Sequence, residues 1–200
     1  MMEQNELQWD RLLNIKTTGR DDTNADQYRY PYEPTPYEVL NRLANFGLIT
    51  KKNTLLDYGC GKGRVECFLS YQTRCKSIGI EYDERIYQVA AGNKETTVSG
   101  NRVEIVQGNA ETFSVPAEVD RCFFFNPFSV EILRKAVARI LDSYYDNPRK
   151  IYLFFYYPSD EYVGYLMDEE MLMFYDEIDC RDLFKENEER EKIMIFEIGS

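Results

Sequence analysis

Between residues 54 and 157, short apolar runs alternate with segments whose apolar residues recur at helical spacing. TLLDY (54–58), SIGIEY (77–82), RVEIVQG (102–108), DRCFFFN (120–126) and KIYLFFYY (150–157) have the length and the β-branched or aromatic content of buried strands. Helical stripes fall between them: Val65, Phe68 and Leu69, then Ile86, Val89 and Ala90 behind a cap at Asp83, then Leu133, Val137, Ile140 and Leu141 behind a cap at Ser129. Strands separated by helix-length segments predict βαβ crossovers and an α/β, doubly wound, mostly parallel sheet with helices on both faces. The alternation breaks after residue 170. MLMFYDEI (171–178) and KIMIFEI (192–198) lack a helical stripe between them, which predicts a C-terminal antiparallel hairpin and a seven-stranded sheet.

The chain before residue 38 has a different character. A polar stretch, TTGRDDTNAD, leads into YRYPYEPTPY, where Tyr28, Tyr30, Tyr32 and Tyr37 interleave with Pro31, Pro34 and Pro36. Prolines at that density exclude a helix and predict a stiff, extended arm. A helix then starts with Thr35 as cap, Pro36 in its first turn and Glu38 as capping-box partner, carries Val39, Leu40 and Leu43, and stops at Gly47. Residues 1–200 are thus expected to form a single domain, 1–37 an aromatic, proline-rich arm and 38–200 the core.

Charge and composition narrow the chemistry. Thirty-five acids against 24 bases give a net charge of −11, which disfavours duplex nucleic acid as a partner. Thirteen of the acids lie between residues 160 and 192 against four bases, and that run reads as a solvated face. The chain has no histidine, so triads built on histidine, histidine-ligated zinc and imidazole bases are excluded, and no metal is expected. Five cysteines without a CxxC pair, and no apolar run of membrane length, lead to the expectation of a cytoplasmic chain that meets no membrane. The sequence leaves the oligomeric state open.

The chemistry concentrates in Leu55-Leu56-Asp57-Tyr58-Gly59-Cys60-Gly61-Lys62-Gly63-Arg64. A strand ends in an acid and runs through a glycine-rich turn into a helix, whose N-terminal N–H groups are expected to face outward. The spacing is GxGxG. Arg64 stands where a dinucleotide fingerprint GxGxxG needs a small residue, which weakens a nicotinamide or flavin ligand, and no P-loop motif occurs. These residues resemble the first motif of the class I, Rossmann-like S-adenosylmethionine-dependent methyltransferases, and the chain looks like a small stand-alone bacterial-type member. The resemblance runs from the YEPTPY arm to the terminal hairpin.

That resemblance implies S-adenosylmethionine as cofactor and S-adenosylhomocysteine as product, held by Asp57, Gly59, Cys60, Gly61 and Gly63 around the amino-acid portion. Glu81, at the end of the second strand, matches the family's ribose-binding acid. Asn109 and Ala110, after Gly108, match its adenine-contacting turn, although the family often has Asp where Asn109 stands. Asn126-Pro127-Phe128 resembles the Asn-Pro-Pro-aromatic motif of amine-methylating members, one residue short, and its residues are the catalytic candidates. The alternative for this tripeptide is structural, with Pro127 ending the strand and Ser129 capping the helix.

The acceptor is then a small molecule or a protein, with an amine well suited: the Asn126 amide can accept its N–H bonds while Phe128 and arm tyrosines face the developing charge. A hydroxyl or carbon acceptor requires a base, for which Tyr32 and Glu33 are the candidates. The arm crosses the carboxyl ends of the strands in this reading, with Tyr32 and Thr35 beside the donor pocket and Tyr28 or Tyr30 walling the acceptor side. Two other classes remain open: a non-catalytic S-adenosylmethionine-binding protein and a dinucleotide-dependent oxidoreductase.

Overall fold

The central strands are buried along their length, and the alternation of their side chains between two faces produces two cores, one on each face of a single sheet. The computed structural model describes residues 2–199. Its strands are β1 (Thr54–Tyr58), β2 (Lys76–Glu81), β3 (Val103–Gln107), β4 (Arg121–Phe124), β5 (Ile151–Tyr156), β6 (Met173–Asp179) and β7 (Lys192–Ile198). The sheet order is β3-β2-β1-β4-β5-β7-β6. The first five strands are parallel, and β7 inserts antiparallel between β5 and β6. The expected doubly wound sheet with its terminal hairpin is what forms.

Alternation assigns Leu55, Phe123 and Phe154 to one face and Leu56, Phe124 and Phe155 to the other. On the first face lie α1 (Met2–Leu13), α2 (Tyr37–Phe46) and α3 (Arg64–Thr73). On the second lie α5 (Val130–Asp146) and α6 (Asp160–Asp168), while α4 (Glu84–Thr96) packs on β2 and β3. Rings bind the centre of the sheet together. Tyr58 stacks on Phe124 at 4.6 Å and Phe124 on Phe155 at 4.7 Å, one ring from each of β1, β4 and β5.

The caps divide into those that hold and those that do not. Asp83 accepts hydrogen bonds from the Arg85 and Ile86 amides, and Gly47 ends α2 in the left-handed conformation. Thr35 does not cap α2: Pro36 holds that position, and the free Tyr37 N–H donates instead to Glu6 Oε1 of α1 at 3.0 Å. Ser129 sits at the start of α5 without its hydroxyl bonding a first-turn amide. The distant carboxylate of Glu6 thus replaces a local cap.

Helices α1 and α6 are absent from the sequence reading. The segment expected as an arm begins with α1, because Leu13, Ile15 and Trp9 dock against Tyr37, Phe68 and the face of α3. The polar anchor of that docking is Arg64, 2% exposed. Its Nε donates to Thr17 Oγ1 at 2.7 Å, and its Nη1 donates to the Thr35 carbonyl at 3.1 Å and to Glu6. Asp10 stands 3.8 Å from Nη2, and the guanidinium lies 4.2 Å from the centre of the Tyr37 ring. Asp10 in turn accepts from the Thr17 amide, the Thr17 hydroxyl and the Tyr37 hydroxyl, each at 2.6 Å.

Removing one member of such a network strands the others in low dielectric. Arg64→Met is therefore expected to lower the unfolding free energy by ~3–5 kcal/mol in urea melts. It is also expected to open residues 14–36 to limited proteolysis, while a surface control, Arg139→Met, does neither.

Candidate functional site

The strand order reverses between β1 and β4, and the loops leaving their carboxyl ends diverge there into a crevice. The turn after β1 enters it with Gly59, Gly61 and Gly63 at φ of +73°, +56° and +80°. Left-handed backbone accounts for glycine at all three, and Gly61 has a second reason: a Cβ there would lie 2.2 Å from the ring of Tyr32. The N–H groups expected to face outward are largely used within the protein. Gly59 and Cys60 both donate to the Ile80 carbonyl at 3.0 Å, Gly63 to the Cys60 carbonyl, and Gly61 to Glu81 Oε2 at 2.9 Å.

Glu81 thus fastens the glycine turn to the end of β2, its other oxygen accepting from the Asp83 amide at 2.9 Å. Burial raises its pKa against the opposing effect of those amides. Beneath the turn lies a second acid pair. Asp57 is 3% exposed, and Glu66, from the first turn of α3, is fully buried. Neither Glu66 oxygen has a hydrogen-bond partner, and a Cβ on Gly79 would meet Glu66 Oε1 at 2.3 Å, so β2 needs glycine to admit the carboxyl. Burial first, then mutual repulsion, drives the Glu66 pKa upward, and burial carries that of Asp57 up to about 7. Cys60 is buried against the same group, its thiol also pushed upward by burial.

The arm lies across this crevice, paired to both walls. Arg29 bridges to Phe128 in antiparallel fashion, Tyr30 N–H donates to the Pro127 carbonyl at 3.1 Å, and Ser129 N–H to the Tyr28 carbonyl at 2.8 Å. On the other side Asp21 pairs with Arg85 at 2.7 Å and Asn24 donates to Asp83. The Tyr32 hydroxyl donates to the Thr17 carbonyl at 2.5 Å, and burial lifts its pKa strongly, which suits a wall and not a base. Thr35 is buried, borders the same cavity and spends its carbonyl on Arg64.

With Pro31 and Tyr32 in place, the cavity shared by Asp57, Gly59, Gly61 and Glu81 measures about 80 Å³. A second, of about 640 Å³, opens on the far side of the same two residues toward Tyr82, Asp83 and Arg85. A small third one joins Gly108, Asn109 and Ala110 to Pro127 and Phe128. Asn109 turns its side chain to the local backbone, its Oδ1 accepting from the Glu111 amide at 3.0 Å. Tyr82, absent from the sequence reading, stands beside that cavity with Arg29 4.0 Å from its ring centre. Its place directly after Glu81 was the available signal.

The tripeptide after β4 is split by the structure. Asn126 takes a left-handed φ of +42° and borders a wide cleft of about 1520 Å³, and its Oδ1 is buried without a donor. Pro127 packs on Gly59. Phe128 does not face the cleft: it is 5% exposed, set edge-on to Phe124, and its carbonyl accepts from the Tyr162 hydroxyl at 2.6 Å. Of the arm tyrosines Tyr30 borders the cleft, whereas Tyr28 is exposed. Glu33 is exposed and also on the cleft, 3.5 Å from Arg20. Among the described residues no group of side chains is arranged to hold a metal, and no helix is long and apolar enough to cross a membrane.

A family model described as a methyltransferase domain matches residues 55–146, from β1 to the end of α5. Residues 55–146 thus carry a methyltransferase domain. A curated relative, a protein-lysine N-methyltransferase of Saccharolobus islandicus, is 35% identical over 81 residues, which cover 40% of this chain and 50% of the relative. The match therefore spans about half the length of that relative. Among solved structures, a human methyltransferase 10 domain containing protein superposes with a TM-score of 0.67 at 13% identity, over 98% of this chain and 93% of that one. An RNA methyltransferase from Salinibacter ruber, in complex with S-adenosyl-L-homocysteine, gives 0.62 at 17% identity, over 84% and 95%. At those identities the likeness concerns the fold of the methyltransferase domain.

The acid pair beneath the glycine turn makes stability depend on pH. A carboxyl whose pKa is higher in the folded chain keeps a proton that the unfolded chain has already lost, so stability is greatest below the ordinary carboxylate range and falls as pH rises through about 7. Glu66→Gln is expected to flatten urea-melt stability between pH 4 and pH 8, with the variant more stable than the parent at pH 8 and close to it at pH 4.

Proposed function

We propose that the methyltransferase domain moves the methyl group of S-adenosylmethionine to the nitrogen of an amine, on a protein or a small molecule. One observation supports this above the others: the Gly59–Gly63 turn with Glu81 lies on one side of the switch point, and after β4, on the other side, stands a buried Asn126 oxygen without a donor. An amine supplies the N–H that such an oxygen needs. The curated lysine-methylating relative supports the same acceptor class.

The residues fit the donor. Gly61 keeps its face free of a side chain beneath the Tyr32 ring, Asp57 and Glu81 provide acceptors, and Asn109 and Ala110 close the far end beside Tyr82. Ligand pockets hold ~300–1,000 Å³, so the 80 Å³ beneath Tyr32 requires the Pro31–Tyr32 segment to withdraw and then re-cover the ligand. Bound there, S-adenosylmethionine supplies an electrophilic methyl carbon. The protein's task is to hold the amine neutral and its lone pair aligned, a positional effect that can contribute ~7–11 kcal/mol and needs no histidine. The five cysteines are unpaired and buried, which supports a reducing, cytoplasmic setting. The arm and core together are taken as the functional unit.

Calorimetry is expected to show binding of S-adenosylhomocysteine and none of NAD; the reverse would return the chain to the dinucleotide class. Glu81→Ala is expected to weaken that binding by ~1–3 kcal/mol, the range for a lost charged hydrogen bond. Asn126→Ala is expected to keep donor affinity while cutting methyl transfer to a lysine-containing acceptor about tenfold, the worth of one hydrogen bond. Equal loss of both would place Asn126 in the donor pocket, and unchanged transfer would leave it as a strand terminator.

A further inference from the structure

The wide cleft beside Asn126 is larger than the donor crevice needs and larger than the ~300–1,000 Å³ of small-molecule pockets. Its three walls come from separate parts of the chain: Gln4, Asn5 and Gln8 of α1, the arm from Tyr30 to Pro36, and the β6–β7 connection from Leu183 to Glu191. The floor is aromatic, made by Phe125, Tyr156 and Tyr157 beside Asn126, with Phe125 and Tyr156 4.7 Å apart. Asn126 and Tyr157 follow adjacent strands, and both hold left-handed φ, +42° and +50°, without being glycine. Such strain persists where surroundings enforce it and gathers at functional sites.

Charge completes the picture. Among the described residues lining the cleft, five carboxylates, Glu33, Glu38, Glu186, Glu188 and Glu191, outnumber three cations. Two of the cations are engaged. Arg20 pairs with Asp22 at 2.8 Å, and Arg190 donates to the Tyr157 and Pro158 carbonyls with its guanidinium 4.2 Å from the Tyr157 ring. Glu188 and Glu191 are aligned by the Tyr157 and Tyr156 hydroxyls, which donate to them, the latter at 2.7 Å. The acidic run expected as a solvated face is exposed at Glu186 and Glu188, and its 183–191 part lines the cleft beside Tyr156 and Tyr157 at the carboxyl end of β5.

From this geometry we propose that the cleft binds an extended, lysine-rich segment of another polypeptide, the β6–β7 connection reading its positive charge while one lysine reaches Asn126. Carboxylates give such a segment charge complementarity, and tyrosine and proline surfaces accept the aliphatic stems and ammonium heads of lysine. Three walls along an open groove fit a chain that enters and leaves, where a free polyamine would leave most of the length unused. The proposal rests on the amine-methylation reading for its lysine at Asn126, but the binding of a basic segment can be measured without turnover.

The test is fluorescence anisotropy on the full chain with a labelled peptide alternating lysine with glycine and serine, beside its glutamate counterpart and with spermidine as competitor. S-adenosylhomocysteine binding is followed separately by calorimetry. The lysine peptide is expected to bind and the glutamate peptide not to. E186Q/E188Q/E191Q is expected to raise the peptide dissociation constant at least tenfold, with donor affinity and the thermal melt unchanged, and E33Q alone to raise it less. Binding that is indifferent to the triple variant, or displacement by spermidine at concentrations below those of unlabelled peptide, overturns the proposal, the latter in favour of a small polyamine. Should the triple variant melt early, the same peptide with 0.5 M NaCl replaces it, and undiminished binding there equally overturns the proposal. Peptide binding without any donor binding would sink the methylation reading and leave this one standing.

Discussion

The buried guanidinium of Arg64 is the interaction on which the functional end of the molecule depends. It stands at the first residue of α3, immediately after the glycine turn, and reaches Glu6, Asp10, Thr17 and Thr35, four points spread over the N-terminal segment. A single cation therefore fixes α1 and both ends of the arm relative to the loop that faces the crevice. Its desolvation is offset only because the fork has a carboxylate, a hydroxyl, a carbonyl and an aromatic face at hand. The departure from a dinucleotide fingerprint thus has a structural cause. A small residue at position 64 would leave the N-terminal segment without its anchor.

With the arm so held, the chemistry of the crevice becomes a matter of what lies on each side of it. Toward β2 the arm meets Asp83 and Arg85 through Asn24 and Asp21. Toward β4 it pairs with Phe128 and the Pro127 carbonyl. Tyr32, over Gly61, is the partition between the small cavity beside Asp57 and Glu81 and the larger one toward Tyr82 and Arg85. A covering segment tied to both walls by a few exposed ion pairs and backbone bonds is cheap to displace, because exposed pairs contribute little. The Arg64 network at its base is not.

Electrostatics follow the same division. The acids under the glycine turn are buried and driven toward their neutral forms, so they add little field to the crevice. Those of the β6–β7 connection are exposed or half-exposed and surround the cleft. The negative charge available to a partner is therefore gathered along the wide cleft.

The order of the strands and of helices α2 to α5, the glycine turn after β1, the acid at the end of β2, the Asp83 cap and the terminal hairpin were all legible in the chain, because each is written in a periodicity or a spacing of a few residues. Helix α1 was not, since its apolar face is short and is stabilised by docking on Tyr37 and Phe68. Thr35 looked like a cap by local pattern, yet Glu6, far along the chain, took the Tyr37 amide. Phe128 looked like a site aromatic, yet the tilt of the chain after β4 turned it into the core. Tyr82 was overlooked because an aromatic after a strand carries no spacing of its own. Local preference fixes elements. Which side chain from elsewhere reaches a given turn depends on the path of the whole chain, and only the folded molecule decides that Arg64 meets Glu6 across 58 positions and that the acidic run lines the same cleft as Asn126.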